Sequence, residues 1–504
     1  MAIANFFDKV TLGLSQILKG YDITQLTEFL ESKYIGVFYD ESAVVTSEGR
    51  YTLDMLIRLL SRLYPKIVIQ SNFNNNFEFC LIELAKSINP KIEILKDKLP
   101  AICICVGKTL YNENIPCIYV GSNNWIVSFS SMHPVGSETS NNPFAAGVCA
   151  CIGAANIFRF IFKDHLHDGR FDDDFNLSLL DYKVGNNLNN ISIDNININE
   201  TILVGAGAIG NGVIWALQKL ENAKGELIIV DNEKVSLTNL QRYILSTQDH
   251  IDKDKTVVFG TKQDTKGVRF ISEQKKWEVY IVSRQNWNIK TVLSCVDSAK
   301  DRITIQGTLS KYIFNAWTQQ ENLGVSRHID FINSSCLGCL YYPENPGSSR
   351  SQEVADNLNI SDSEREIRSY LANNLPIDEA LLRLICNTNQ KLKFNELIYY
   401  IGKSLDVFYS EIVCGRVIIK SQDVHHKDID VPCAFESAMA GLLLAAEFVK
   451  FNAGWNDEKY SDSIRFNLLR PLTKYIRTPE IKRTNCFCND EVYRQVYLNK
   501  WTDS

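Results

Sequence analysis

The segment from Thr201 to Leu245, TILVGAGAIGNGVIWALQKLENAKGELIIVDNEKVSLTNLQRYIL, constrains the fold of this chain more than any other. A short apolar run, Ile202 to Val204, leads into Gly205, Gly207 and Gly210, and a helical stretch follows. Glycines at that spacing permit a tight strand-to-helix turn and let a phosphate approach the backbone. The free amides that open the helix favour an anion there. A second apolar run, Leu227 to Val230, ends in Asp231, about where a carboxylate accepts ribose hydroxyls.

The glycine turn alone fits an ordinary dinucleotide site, or merely a tight turn. Its continuation, DNEKVSLTNLQR, narrows the choice, because Asn239 and Arg242 then reach back over the same phosphate pocket from the next loop. A hydride-transferring enzyme has no task for that guanidinium.

This combination resembles the adenylating domain of the ubiquitin-activating enzyme superfamily, the E1, ThiF and MoeB proteins, with their glycine loop and a D-x-E-x-V-x-x-x-N-L-x-R-Q-like run. Tyr243 stands where the family frequently has Gln. The resemblance continues in order: Lys255, in DHIDKDKTVV, matches the lysine that opens a family helix, although Asp252 or Lys253 replaces the glycine before it. Asp297, in LSCVDSAKDR, matches the aspartate that holds magnesium.

The implied chemistry explains these residue types. A carboxylate attacking the α-phosphate of ATP brings two anions together, and fixed cations in a dehydrated site must hold the developing charge. Arg242 and Lys255 supply it. Magnesium needs a hard oxygen ligand, which Asp297 offers at the end of an expected strand from Val292 to Val296. Singly, Lys255 reads equally as a solvated lysine and Asp297 as a turn residue; in this order they share one task.

With 504 residues and 45% hydrophobic content, the chain has room for two to four well-filled domains. A net charge of −6 and the lack of a dense basic block argue against a nucleic-acid partner. The beginning, MAIANFFDKV, does not read as a signal peptide, and no uncharged apolar stretch suggests a membrane span, so the expectation is a cytoplasmic protein.

Fourteen cysteines without a signal peptide point to thiols and metal ligands, not disulfides. Cys80, Cys103, Cys105, Cys117, Cys149, Cys151, Cys295 and Cys386 sit in apolar runs and read as small buried hydrophobes. Cys336 and Cys339 form CLGC, and Cys486 and Cys488 form CFC. Two such pairs brought together make a tetrahedral structural zinc site, as many adenylating relatives close one with a late second pair.

Residues 1 to about 190 alternate helical stretches with strand-like runs such as Ile35 to Tyr39, Ile67 to Ile69, Ile102 to Val106 and Cys117 to Val120, which reads as an open α/β domain. The small-residue helix from Asn142 to Phe162 is echoed from Cys433 to Phe451, suggesting an internal duplication, with independent core helices as the alternative. The fold class is therefore α/β, with two Rossmann-like adenylation-type domains. Residues 1–190 form an inactive pseudo-adenylation domain, and 191–345 the first part of the active one. A helical crossover insertion occupies 346–430, and 431–504 complete the active domain and the zinc-binding tail. The Asn-rich tract from Gly185 to Asn199 reads as the linker. Within the insertion a loop is expected from Pro343 to Ser351, and helices around Gln352 to Leu371 and Asp378 to Leu392.

In activating relatives the crossover carries or flanks the thioester cysteine. Cys414, with Gly415 leaving space and Arg416 favouring thiolate, is the preferred nucleophile; Cys433, after Pro432 at a helix start, is the second candidate. His425 and His426 lie between them as a candidate base or as solvated loop residues. The resemblance implies an ATP- and magnesium-dependent enzyme that adenylates the C-terminus of a ubiquitin-like protein, captures it as a thioester and passes it to an E2-like conjugating enzyme. A homodimer is a further expectation. The domain order most resembles the E1-like proteins of bacterial ubiquitin-like conjugation operons, including the antiphage Bil systems. The alternatives are a ThiF- or MoeB-type sulfur-carrier adenylyltransferase, an NAD-dependent oxidoreductase, and a scaffold with a degenerate site.

Overall fold

The computed structural model describes residues 2–7, 23–74, 76–96, 98–166, 168–193, 195–221, 223–260, 267–319, 322–341, 350–373, 375–388, 394–405, 408–409, 433–455, 462–472 and 476–501. The chain divides into two compact units, Met1–Tyr342 with Val431–Ser504, and Pro343–Asp430.

The larger unit contains two sheets. The first comprises β1 (Ile35–Tyr39), β2 (Lys66–Ser71), β3 (Glu93–Leu95), β4 (Ile102–Val106), β5 (Cys117–Asn123), β6 (Ile126–Ser130) and β7 (Phe175–Ser178), in the order β3-β2-β1-β4-β5-β6-β7. The second comprises β8 (Ile196–Val204), β9 (Ala223–Val230), β10 (Arg269–Glu273), β11 (Thr291–Ser294), β12 (Tyr312–Gln319), β13 (Asn322–His328), β14 (Asp462–Phe466) and β15 (Arg477–Pro479), in the order β10-β9-β8-β11-β12-β13-β14-β15. In both, the first five strands in the order pair in parallel and the later ones antiparallel. The two sheets thus repeat one topology, with one extra edge strand in the second. This is the Rossmann-like α/β class that the glycine turn and the duplicated helix predict.

Four helices lie between the sheets: α1 (Ser47–Leu63) and α2 (Pro143–Ile161) from the first repeat, α3 (Ala208–Lys219) and, beyond α4 (Lys255–Gly260), α5 (Ala434–Asn452) from the second. Helix α2 starts where Asn142 caps the amide of Phe144 at 2.9 Å and Pro143 fits a position that needs no amide donor. It is long and apolar enough to cross a membrane, but it is a core helix, almost wholly buried. The two long helices each send a buried cation across the repeat boundary. Arg159 of α2 donates to the carbonyls of Leu468, at 3.2 Å, and Arg470, while Lys450 of α5 donates to those of Leu179 and Leu180 at 2.7 and 3.0 Å. Glu447 pairs with Arg327 at 2.7 Å and accepts from Tyr182 at 2.5 Å. The Arg327–Glu447 pair lies within the second repeat, while the hydrogen bonds of Tyr182, Arg159 and Lys450 cross the boundary and tie the repeats together.

Several local expectations are corrected. Strand β8 begins at Ile196, inside the tract read as linker; a bulge between Asn197 and Glu200, with Asn199 at φ 51°, accommodates its polar residues. Strand β11 stops at Ser294 instead of Val296. Cys80 is exposed, on the outer face of the helix Phe77–Ile88, and Cys117 and Cys386 are half-buried. In the smaller unit the expected helix from Gln352 to Leu371 is broken into Arg350–Asn357 and Glu364–Ala372, because Asn359 adopts φ 55° and a short turn, Ser361–Ser363, intervenes. Ser351 is already helical, and the later helix is Glu379–Thr388. This unit has its own core of Val354, Leu358, Ile367, Leu382, Ile385 and Phe408.

Candidate nucleotide and metal sites

Strand β8 hands the chain to β9 and β10 on one side, and the chain returns as β11 on the other. The carboxyl ends of β8 and β11 therefore flank a topological switch point, where open α/β sheets bind ligands. The glycine turn lies there. Gly205 has φ 93°, and a Cβ on it would come within 2.8 Å of the Cys295 carbonyl, so the turn can close against the end of β11 only with glycine. Gly207 is the N-cap of α3 without a capping side chain. The first-turn amides from Ala208 to Gly210 have no acceptor within the helix and are the natural anion donors.

Asp231, at the end of β9, accepts from the amides of Ala206 and Glu233, both at 2.8 Å, which ties the acid to the glycine turn. Burial raises its pKa, partly offset by the charge of Lys255 and by those amides. Lys255 opens α4 and is 2% exposed; its Nζ donates to Glu233 and, at 3.2 Å, to the Tyr243 hydroxyl. Burial alone would lower its pKa, yet Tyr243, Asp231 and Glu233 outweigh it and raise the value, so the cation persists at neutral pH. Tyr243, standing where the family frequently has Gln, thus has a physical role: its hydroxyl accepts from the buried Lys255 and lies beside Gly207 of the turn.

Arg242 ends the short turn Leu237–Gln241, is half-buried, and has no carboxylate partner among the described residues. The Asn239 carbonyl oxygen of the side chain accepts from Ser236 at 2.9 Å, so Asn239 shapes this loop. Asp297 is exposed just beyond β11, with its backbone carbonyl held by Arg302 at 3.2 Å. Sequence reasoning missed Asn211. This buried residue of α3 donates to the carbonyls of Ala206 and Gly207 and accepts from the Leu245 amide at 3.0 Å, joining the glycine turn to the loop that carries Arg242. An Asn in the first turn of a glycine-turn helix was the available signal.

The equivalent place in the first repeat is filled by protein. Asp40 follows β1 as Gly205 follows β8. Its carboxylate accepts from the amides of Lys108 and Thr109 and from the Thr109 hydroxyl, each at 2.7 Å, and from Ser42 and Ala43 at 2.5 and 3.2 Å. Gly107, which follows β4, has φ 130°, and a Cβ there would collide with the same carboxylate. Burial would raise the Asp40 pKa, but the bonds from Ser42, Thr109, Lys108 and Ala43 bring it below the ordinary value. A depressed carboxylate stabilises the fold above its unfolded pKa of about 3.9, and that contribution is lost as pH falls through the folded value. Asp40→Asn is therefore expected to cost about 1.5–3 kcal/mol at neutral pH and almost nothing in strong acid, as checked by urea unfolding at both pH values.

The four predicted metal ligands meet across the chain. Cys336 Sγ lies 3.9 Å from Cys339 and 3.5 Å from Cys486, and Cys339 lies 3.5 Å from Cys488. All four sulfurs are buried and within 4.8 Å of one another. Zinc–sulfur bonds of about 2.3 Å in a tetrahedron put sulfurs about 3.8 Å apart, so the cluster fits zinc. The Arg483 amide donates to Cys339 at 3.4 Å, the backbone support a thiolate ligand needs.

Of the two candidate nucleophiles, Cys433 is half-buried at the N-cap of α5, where it shares a reciprocal capping box with Glu436, whose carboxylate accepts from the Cys433 amide at 2.8 Å. Cys414, His425 and His426 lie outside the described residues.

Comparison with known proteins agrees with this arrangement. Residues 187–489 match the ThiF family, and residues 38–163 match a family described as Prokaryotic E2 family C. The latter falls on the repeat that the sequence reading assigns to an inactive adenylation domain, and its sheet order is that of the second repeat. A relative from Sinorhizobium fredii (strain NBRC 101917 / NGR234), described as "Uncharacterized protein y4jF", is 35% identical over 511 residues, spanning 100% of this chain and 98% of its own. Among solved structures, E. coli MccB with ATP is similar at a TM-score of 0.35 and 15% identity, covering 59% of this chain and 68% of that one. E. coli MccB with SeMet MccA is similar at 0.36 and 14%, covering 59% and 68%. With the ThiF match spanning more than half of its length, this chain belongs to the ThiF family and is an ATP-dependent adenylyltransferase of the E1/ThiF type.

Proposed function

We propose that the chain activates the C-terminal carboxylate of a ubiquitin-like protein and passes it, as a cysteine thioester, to an E2-like conjugating enzyme in a bacterial cytoplasm, in antiphage defence. The observation that carries the reading is the convergence of a glycine turn, Asp231, Lys255 and the loop of Arg242 at one switch point. Asp231 accepts the ribose hydroxyls, and the α3 amides with Arg242 and Lys255 bind the phosphates. A carboxylate oxygen of the carrier attacks the α-phosphorus, and pyrophosphate leaves with its charge held by the two cations. Magnesium, held by Asp297, would offset phosphate charge. The first repeat, with Asp40 in the place of a phosphate, is the inactive adenylation domain. The match to a prokaryotic E2 family supports a conjugation setting.

Transfer to a thiol forms a thioester and releases AMP, and we assign the nucleophile to Cys414. The capping box supports a structural task for Cys433. With a carrier protein from the same operon, the chain is expected to exchange pyrophosphate into ATP and to form a thiol-sensitive adduct. Cys414→Ala should abolish the adduct and spare exchange, because the two steps use separate groups. Cys433→Ala should keep the adduct and lose about 0.5–2 kcal/mol of stability with the cap. The reverse pattern moves the nucleophile to Cys433. Adenylate release without any adduct would replace the thioester reading with a sulfur-carrier route.

A further inference from the structure

The loop that carries Arg242 is gripped from the first repeat. Arg62, near the end of α1 and 1% exposed, donates through Nη2 to the carbonyls of Tyr243 and Ser246 at 2.6 and 2.7 Å, and through Nη1 to that of Arg58 at 2.6 Å. Arg58 donates to the Ile244 carbonyl at 3.0 Å, and its own orientation is set by Asp54 at 2.9 Å. Asp54 also accepts from the indole of Trp215 on α3, at 2.7 Å. From the other side, Asn211 holds the Leu245 amide. The four residues after Arg242, Tyr243 to Ser246, are thus clamped between the two repeats.

Burying a guanidinium without a carboxylate beside it is costly, and burial with the nearby Arg58 charge pulls the Arg62 pKa down. A packing role needs no such group; an apolar side chain of similar volume fills the space without that cost. The planar fork instead fits two carbonyls of one loop at once, fixing its path.

We propose that Arg62, assisted by Arg58, is a positioning residue: the first repeat fixes the loop that aims Arg242 and Tyr243 at the nucleotide. This rests on the adenylation reading above. It gives the nucleotide-free repeat a direct part in the chemistry of the other one.

A double-mutant cycle on the full chain, with Mg–ATP as ligand and affinity read by calorimetry, tests it. Arg62→Gln is expected to weaken binding by about 10-fold or more, since small misplacement of a phosphate contact is costly. Arg62→Lys, which keeps the charge but not the fork, should recover only part. In an Arg242→Ala background, Arg62→Gln should add nothing further. Arg159→Lys, another buried arginine bridging the repeats, should lower thermal stability and leave affinity unchanged. Additive losses, unchanged affinity in a folded Arg62→Gln protein, or an equal loss in Arg159→Lys would each overturn the positioning role. Should Arg62→Gln not fold, Arg58→Gln enters the same cycle, with a smaller, equally non-additive loss expected and wild-type affinity overturning the proposal. A wild-type chain that does not bind Mg–ATP would overturn the adenylation reading, and the positioning role with it.

Discussion

Lys255→Ala and Arg242→Ala are each expected to lower ATP–pyrophosphate exchange by about 10²-fold or more, the scale on which one preorganised transition-state donor acts. Both cations are placed before any ligand arrives. Lys255 is buried against Tyr243 and Glu233, and its raised pKa keeps it charged at neutral pH. Among the described residues, Arg242 has no carboxylate partner to leave behind. The two variants should differ in stability. Removing Lys255 leaves the Tyr243 hydroxyl without its buried partner, at about 1–3 kcal/mol, whereas Glu233, 67% exposed, returns to water. Removing Arg242 should leave the melting temperature nearly unchanged. Exchange rates per folded molecule, measured with carrier protein in excess, check both; a loss of only two- or three-fold in either would remove that residue from the phosphate site.

Stripping zinc is expected to have the largest effect on the folded state. The cluster joins residues about 150 positions apart in the sequence, and metal binding there would contribute directly to folding, on the order of 10 kcal/mol in small zinc domains. Around the sulfurs, Phe331 stacks on Tyr497 at 4.9 Å, and Trp501 of the last helix, Glu491–Trp501, donates to the Leu309 carbonyl at 2.8 Å. A strong chelator, or Cys339→Ser, should therefore expose this helix to limited proteolysis before the rest of the unit is cut. Elemental analysis should find about one zinc per chain. Less than about half an atom in carefully purified protein, or a protease pattern unmoved by chelation, would count against the assignment.

Much of the candidate nucleotide site was legible because its signals are local. A glycine spacing, an acid at a strand end and a basic loop residue each need only a few neighbouring residues to be recognised, and the sheet then brings them together. The cysteine pairs were legible despite their separation, because four thiols in two short pairs have few other uses. What stayed hidden depends on contacts between distant segments. Arg62 reads as one more surface cation of an amphipathic helix, and Asp40 as a common helix cap, until the loops at positions 243–246 and 107–109 arrive beside them. Likewise the start of β8 at Ile196 is set by pairing with β9, and its Asn-rich sequence carries no sign of a strand.

The reciprocal cations Arg159 and Lys450 have a kinetic consequence. Where two subunits must meet to complete such a pairing, the fraction assembled falls on dilution. Here both partners belong to one polypeptide, so their encounter is unimolecular and its effective concentration is set by the chain alone. The pairing of the two repeats should accordingly be independent of protein concentration and persist at nanomolar enzyme, whatever the association of whole chains.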